Sequence, residues 1–433
     1  MKEGCFKEFA RYTVFNVLGM IGLSCYILAD TFFVSKGLGS NGLAALNLAI
    51  PVYSFIHGTG LMLGMGGATR YSMMKSQGME KKGNEVFTHT ILLALCFAVV
   101  FAVMGVFGAG MFTKLLGADG LVYRMCRTYL KVLLLFSPMF LLNDIVLCFV
   151  RNDGAPQLSM SAMLIGSFSN IVLDYLFIFP LGMGIFGAVF ATGLAPVISL
   201  AVLSPFFLKK RNSFRFVKCK GSFAVAGMVF GCGIPSLVAE VSSGIVMIVF
   251  NTIILNLRGN TGVAAYGVIA NLSLVIMAVY TGISQGIQPI ISRYYGLGKR
   301  DMIQQIFKYA MSTVVILSAI IYAGMFWGAE QITSVFNSEG NAALQTIAAA
   351  GIKIYFTACI FAGMNIVMAI YFTSSDNAKP ANVISLMRGF VLIIPLAFLM
   401  SAFWKMTGLW LVFPLTEALT AIAAWGLYRF YRR

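Results

Sequence analysis

The chain has 433 residues, of which 59% are hydrophobic and only 11% charged, with a formal charge of +16 at neutral pH. A soluble protein carries about 25% charged residues, and one or two soluble cores cannot hide this apolar excess, so the composition specifies a polytopic membrane protein. The 31 Lys and Arg lie mostly in short stretches between apolar runs, with no zinc-finger, RNP or basic-helix pattern; that excludes nucleic acid and leaves membrane lipid as the main surrounding partner.

A membrane-spanning helix needs about 20 apolar residues. The opening "MKEGCFKEFARY" leads into such a run and reads as the flank of an uncleaved first helix. Breaking the chain at charged and Gly/Pro-rich punctuation gives twelve spans, near 11–35, 42–72, 87–113, 123–149, 157–180, 184–208, 223–256, 262–291, 305–328, 343–373, 380–403 and 407–428. Several exceed the bilayer thickness, which requires tilt, kinks or extension beyond it. With the N-terminus inside, twenty Lys and Arg fall in inner segments and six in outer ones. This asymmetry predicts a multi-pass protein of the plasma membrane with both termini cytoplasmic.

The longest basic stretch, "KKRNSFRFVKCKGS", falls between spans six and seven. On either side the sequence repeats. "NGLAALNLAIP" at 41 resembles "TGVAAYGVIAN" at 261, "LADTFF" at 28 resembles "VFNTII" at 249, and "GIFGAVFAT" at 184 loosely resembles "KMTGLWLVF" at 405. The fold class expected is therefore all-α: twelve transmembrane helices in two six-helix lobes related by a parallel pseudo-twofold repeat. The lobes are placed at 1–208 and 223–433, joined by a basic cytoplasmic linker at 209–222. Such geometry suits a transporter whose lobes rock about a central cavity.

Five acids lie inside spans: Asp30, Asp144, Asp174, Glu240 and Glu417. A carboxylate at mid-membrane costs on the order of 3 kcal/mol, so each needs a partner or a function. In "SNIVLDYLFIF", Asn170 and Asp174 are four apart and share a helix face. Asp30 is six residues before Lys36, Asp174 six before Pro180, and Thr192 about two turns past Gly184. All four groups thus lie in the outer half of the first repeat. Two carboxylates, an amide carbonyl and a hydroxyl at one depth suit a hard monovalent cation such as Na+, or a proton. The alternative is that the acids only hydrogen-bond neighbouring helices.

The second repeat lacks the set: Asn251 stands for Asp30, with Pro395 near Asp174 and Phe413 near Thr192. Glu240, mid-way along span seven, either meets a cationic compound or is a paired structural acid. The roles of Asp144 and Glu417 stay open.

Other patterns point to structure. "GLGSNG" (37–42) has no strand before it and reads as an inter-helix turn, and "GTGLMLGMGG" (58–67) reads as close helix packing. His57 and His89 are far apart, and eight Cys form no C-x-x-C. No Walker A motif or nucleophile elbow occurs, so neither an ATP-driven pump nor an enzyme is expected, and no cofactor.

Four stretches resemble the MATE (multidrug and toxic compound extrusion) family. "LADTFFVSKGLGSNGLAALNLAIPV" is similar to its first-to-second helix segment, and "RNDGAPQLSMSAMLIGSFSNIVLDYLFIFPLGMGIFGAVFAT" to its fourth-to-sixth. "GIPSLVAEVS" and "AAYGVIANLSLVIMAVYTGISQGIQPIISRYYGLGKRD" resemble the second-half counterparts. The resemblance implies a monomeric secondary antiporter working by alternating access. It would export organic, cationic or amphipathic compounds in exchange for H+ or Na+. It implies a cation site at Asp30, Asn170, Asp174 and Thr192. Tyr26, Asn143, Met163 and Ser167 match positions near the family's first-lobe cavity and, with Glu240, would line the substrate site. The family's helix-one proline is missing from "RYTVFNVLGMIG", so Asn16 or Gly19 would have to permit any bend.

The alternative is a lipid-linked precursor flippase of related fold, which needs a cationic cavity. Arg70, Lys131, Lys353 and Arg388 are the few candidates inside the spans. Sequence leaves the coupling ion and the substrate open.

Overall fold

The computed structural model describes residues 2–337 and 340–432; Met1 and Arg433, at the outer ends of the two expected lobes, lie outside them. The described residues form helices and turns, without a strand. The first helical run, Lys2–Ser76, has 75 residues. At 1.5 Å per residue it would measure about 110 Å, nearly four hydrocarbon thicknesses, if it were straight. Gly39 breaks it with φ 66° and ψ −161°, a conformation open to glycine at little cost. Helix α1 therefore covers 2–38 and α2 covers 40–76. Gly259 divides Phe223–Gly296 in the same way (φ 61°, ψ −157°), and Lys405 divides Ile393–Arg432 (φ 49°, ψ −127°).

Between these runs lie α3 (Glu80–Leu115) and α4, whose pieces Gly120–Leu135 and Ser137–Asn152 meet at 49°. Pro138 at the start of the second piece removes a backbone donor at the bend. Then come α5 (Pro156–Ile178) and α6 (Gly184–Leu208), followed by α7 (223–258) and α8 (260–296). The chain ends with α9 (Arg300–Phe336), α10 (Ala342–Ser374), α11 (378–404) and α12 (406–432). Twelve spans result, as the sequence predicts. α1 is unbroken through Asn16 and Gly19.

The internal repeat is written into the backbone. Positive-φ residues pair as Gly39/Gly259, Gly78/Gly298, Gly120/Gly340, Gly154/Asp376 and Gly184/Lys405, every pair at nearly the same spacing along the chain. The same tight turn thus recurs at the same place in each lobe. The lobes also exchange their leading helices. The start of α1 (Cys5, Phe9, Tyr12) is buried in the core built from α8 to α12. Val229 of α7, the repeat counterpart of Phe9, is buried in the core built from α2 to α6.

Both chain ends, the 209–222 linker and the turns near 78 and 298 share one face, the basic face. There the lobes are sealed. Arg293 on α8 clamps Glu8 on α1 with two bonds, at 2.6 and 2.7 Å, and Arg70 pairs with Asp376. Deeper, Gln288 donates to Thr69 at 2.8 Å and accepts from Asn152 at 2.9 Å. Among the described residues, all the side-chain hydrogen bonds and ion pairs that join the lobes lie in this half. Backbones touch here too: Gly282 lies against Val17, Gly286 against Thr13, and Gly233 against the Met62 carbonyl. Toward the opposite face the packing on α8 loosens, and a Cβ at Gly267 would meet nothing within 4 Å. The molecule is therefore closed at the basic face.

A side chain at Gly233 must push α2 and α7 apart. Overpacking of this kind costs about 1–3 kcal/mol, so Gly233→Val is expected to favour the state open at the basic face by roughly 5- to 150-fold. In a protein whose only cysteine is Cys148, buried beneath this seam, the variant should speed labelling by an impermeant thiol reagent added from the basic side. Unchanged labelling would show that this contact does not hold the seal.

Candidate functional site

α1 and α5 run side by side in parallel, and small residues set their register. Gly19 faces Met163, Gly22 faces Leu164 and Gly37 faces Ile178. The register fixed by these contacts puts Asp30 opposite Asp174. The two carboxyls come within hydrogen-bonding reach of one another. Asp30 is buried and Asp174 wholly so, and one oxygen of each (Oδ1) has no protein partner. No Lys, Arg or His among the described residues pairs with either acid.

Asn170, also wholly buried, lies one turn from Asp174. With its amide assigned nitrogen toward the acid, the orientation that satisfies both ends, Nδ2 donates to Asp174 Oδ2 at 3.0 Å and Oδ1 accepts from the Thr192 backbone N–H at 3.2 Å. The opposite amide orientation would turn an oxygen toward the carboxylate, which is favourable only with a cation between them. The Thr192 hydroxyl donates to the Ala188 carbonyl at 3.1 Å, and Tyr129 stands beside Thr192, within electrostatic range of both acids. The structure thus brings all four expected cation-site residues into one buried cluster and adds Tyr129.

The other expected residues spread from this cluster toward the seam. Tyr26, one turn before Asp30, shares a 2.8 Å hydroxyl–hydroxyl bond with Tyr53 on α2. Ser167 is buried on the α5 face that carries Asn170 and Asp174, and Met163 packs against Gly19. Asn143 has a buried Oδ1 with no partner. Glu240 on α7 lies against α2 at Gly58 and within electrostatic range of His57 and Asp144.

Sequence reasoning sets His57 aside as a lone histidine. In the fold its Nδ1 bonds Asp144 Oδ2 at 2.9 Å, and its ring stacks on Tyr53 with centroids 5.8 Å apart. Gly60 makes room for that carboxylate. A polar line therefore runs from Asp174 and Asp30 through Tyr26, Tyr53 and His57 to Asp144, with Glu240 facing it from the other lobe. No spacing in the sequence announces the His57–Asp144 pair.

Among the described residues, the second lobe carries no such open cluster. Wholly buried Glu417 accepts two bonds at 2.9 Å from Arg388 Nε and one at 2.8 Å from Nη2, and a further one at 2.7 Å from Asn365. A π-turn, Met387–Val391, sets the arginine in place. Glu417 is thus a closed structural pair.

The family model described as MatE matches residues 17–176 and 235–399. The multidrug export protein MepA of Staphylococcus saprophyticus is 25% identical over 427 residues, covering 98% of this chain and 93% of that protein. The protein of the same name from Staphylococcus aureus is 23% identical over 425 residues, with the same coverage. Among solved structures, an outward-facing multidrug resistance MATE family transporter of the MOP superfamily superposes with a TM-score of 0.91 at 22% identity, over 98% of this chain and 96% of that one. A MOP superfamily transporter from Pyrococcus furiosus, described as having a binding pocket of reverse polarity, gives 0.90 at 22% identity, over 98% and 95%. These likenesses fix the two-lobe, twelve-helix fold, and the family match covers most of both lobes. The chain belongs to the MatE family.

Proposed function

We propose that this protein is a multidrug efflux antiporter that expels organic, cationic or amphipathic compounds as H+ or Na+ moves inward through the Asp30–Asp174 site. The basic face points to the cytoplasm, since basic loops are retained there. One chain supplies both lobes, so a monomer suffices.

The observation that carries this reading is the pair of buried acids with no Lys, Arg or His among the described residues paired with them. A proton held between them, or Na+ ligated by both with the Asn170 oxygen turned inward, would remove the cost of buried charge. α1 would be the coupling element. Its outer half presents Asp30 to α5, while its inner end lies in the core of the other lobe. Occupancy that ties Asp30 to Asp174 would therefore bias how the lobes sit. Only a difference in cation affinity between the two arrangements can drive substrate against its gradient.

The names of the staphylococcal relatives support drug export. The flippase reading lacks its cationic cavity: Arg70 is paired with Asp376, Arg388 with Glu417 and Lys353 with Glu330, while Lys131 is exposed. The titratable groups on the polar line from Asp174 and Asp30 through His57 to Asp144, with Glu240 facing it, are instead mostly acidic and suit cations, while Arg151 lies nearer the basic face.

Asp174→Asn is nearly isosteric and keeps a partner for Asn170. It is expected to insert and bind substrate, yet to lose cation-driven export in proteoliposomes by about a hundredfold or more, the scale of about 3 kcal/mol of lost coupling. Export at the wild-type rate would sink the site assignment. Glu240→Gln should slow export of a cationic dye about tenfold, the scale of one partly screened charge contact, while leaving a neutral amphipath little changed. Equal loss for both would make Glu240 structural.

A further inference from the structure

We propose that Arg151 is the charge barrier that stops the driving cation from leaking through the closed basic-face seal; this rests on the antiport reading above. By position Arg151 belongs to the last turn of α4, where a basic residue ordinarily reaches water, and the sequence alone counts it with the inner-loop charges. The structure corrects that placement. Side chains on a helix lean back toward its N-terminus, which here points into the bundle, and Arg151 is only 2% exposed.

Its Nη1 donates to Asn16 on α1 at 2.6 Å and to Gln285 on α8 at 2.7 Å. Its Nη2 meets only sulfur, Met65 Sδ at 3.3 Å and Cys148 Sγ at 3.4 Å, and Nε has no partner. No carboxylate among the described residues pairs with it. Met65 and Gln285 each stand eleven residues before the basic-face ends of α2 and α8, about 16 Å in from that face. A full positive charge thus sits on the seam between the lobes, held by neutral groups alone.

The seal around it is polar. Asn16, Gln285, Asn152, Gln288 and Thr69 line it, and just outside lies a cavity of about 310 Å³ bounded by Tyr12, Ser72, Asp153 and Pro289. The charges at that cavity largely cancel, as Lys75 pairs with Asp153 and Arg293 with Glu8. Amides and hydroxyls can bridge to water and pass protons or small ions, so shape alone would make a poor seal against the ions with the steepest gradient. A fixed guanidinium repels any cation entering the seam, as an arginine does in water-selective pores. Neutral acceptors hold Nη1 and Nη2 without cancelling the charge, and a carboxylate there would abolish the effect. When the lobes part at the basic face, Arg151 loses Gln285, is hydrated, and no longer obstructs release.

The test uses the full-length protein in liposomes without substrate. A potassium diffusion potential set by valinomycin draws protons inward, read by trapped pyranine, with chloride flux measured in parallel. Arg151→Gln keeps hydrogen bonding to Asn16 and Gln285 but removes the charge. Arg151→Lys keeps the charge but loses the forked geometry. Wild type and Arg151→Lys should match protein-free vesicles. Arg151→Gln should raise proton influx about tenfold or more, as expected when a unit charge near the path is removed, with chloride unchanged. The proposal is overturned if folded, monodisperse Arg151→Gln stays tight, if it passes chloride as readily as protons, or if Arg151→Lys leaks equally. Substrate export without any cation gradient would instead refute the antiport reading, while the leak comparison still reads the barrier on its own.

Discussion

Charge buried away from water organises this molecule. A carboxylate in the hydrocarbon region costs about 3 kcal/mol or more unless it is neutralised, and the way each acid is neutralised divides the structure. Glu417 has Arg388, Asp144 has His57 and Asp153 has Lys75. Those pairs are internal and tie helices together. Among the described residues, Asp30 and Asp174 have only each other and Asn170. Asn365, which binds Glu417, stands at the repeat position of Asp144. The second lobe therefore meets its buried acid with a guanidinium of its own, whereas the first, on our reading, takes a cation from outside.

The exchange of leading helices turns that local difference into a means of moving the lobes. α1 begins in the core of the second lobe and ends beside α5 of the first; α7 does the reverse. A change at Asp30 acts on a helix anchored in both lobes, so it need not travel through a long chain of contacts. The close approach of Gly282 to Val17 and Gly286 to Thr13 makes the basic-face half of this helix pair rigid. The outer half, where Gly267 meets open space, is free of such contacts. Rocking about the tight half is the motion this packing allows.

Much of this is legible in the sequence. Apolar run length marks the twelve spans, because the bilayer fixes the length of a helix, and the offset between the repeated segments reappears in the paired positive-φ turns. The convergence of Asp30, Asn170, Asp174 and Thr192 follows from counting residues to the membrane surface, since depth is a one-dimensional quantity that sequence records. Lateral contacts are not. His57 meets Asp144 across 87 residues, and nothing in either neighbourhood marks the other. Arg151 reads as a topology charge because its position along α4 is at the membrane edge; only the direction of its side chain buries it. Tyr129 is missed because a tyrosine in an apolar span carries no signal until its neighbours are known.

The central claim is that the exchangeable cation belongs to the first lobe alone, and a matched pair of substitutions reads it most directly. Asp30→Asn changes charge with little change in shape, and Asn251→Ala alters the pseudo-symmetric position in the second lobe. Each would be reconstituted and substrate release followed as external pH and Na+ are varied separately. The account predicts that Asp30→Asn loses the dependence on whichever ion drives wild type, while Asn251→Ala keeps it, because an amide neither binds nor releases a proton near neutral pH. Wild-type dependence in Asp30→Asn, together with its loss in Asn251→Ala, would contradict the account and move the cation site to the second lobe.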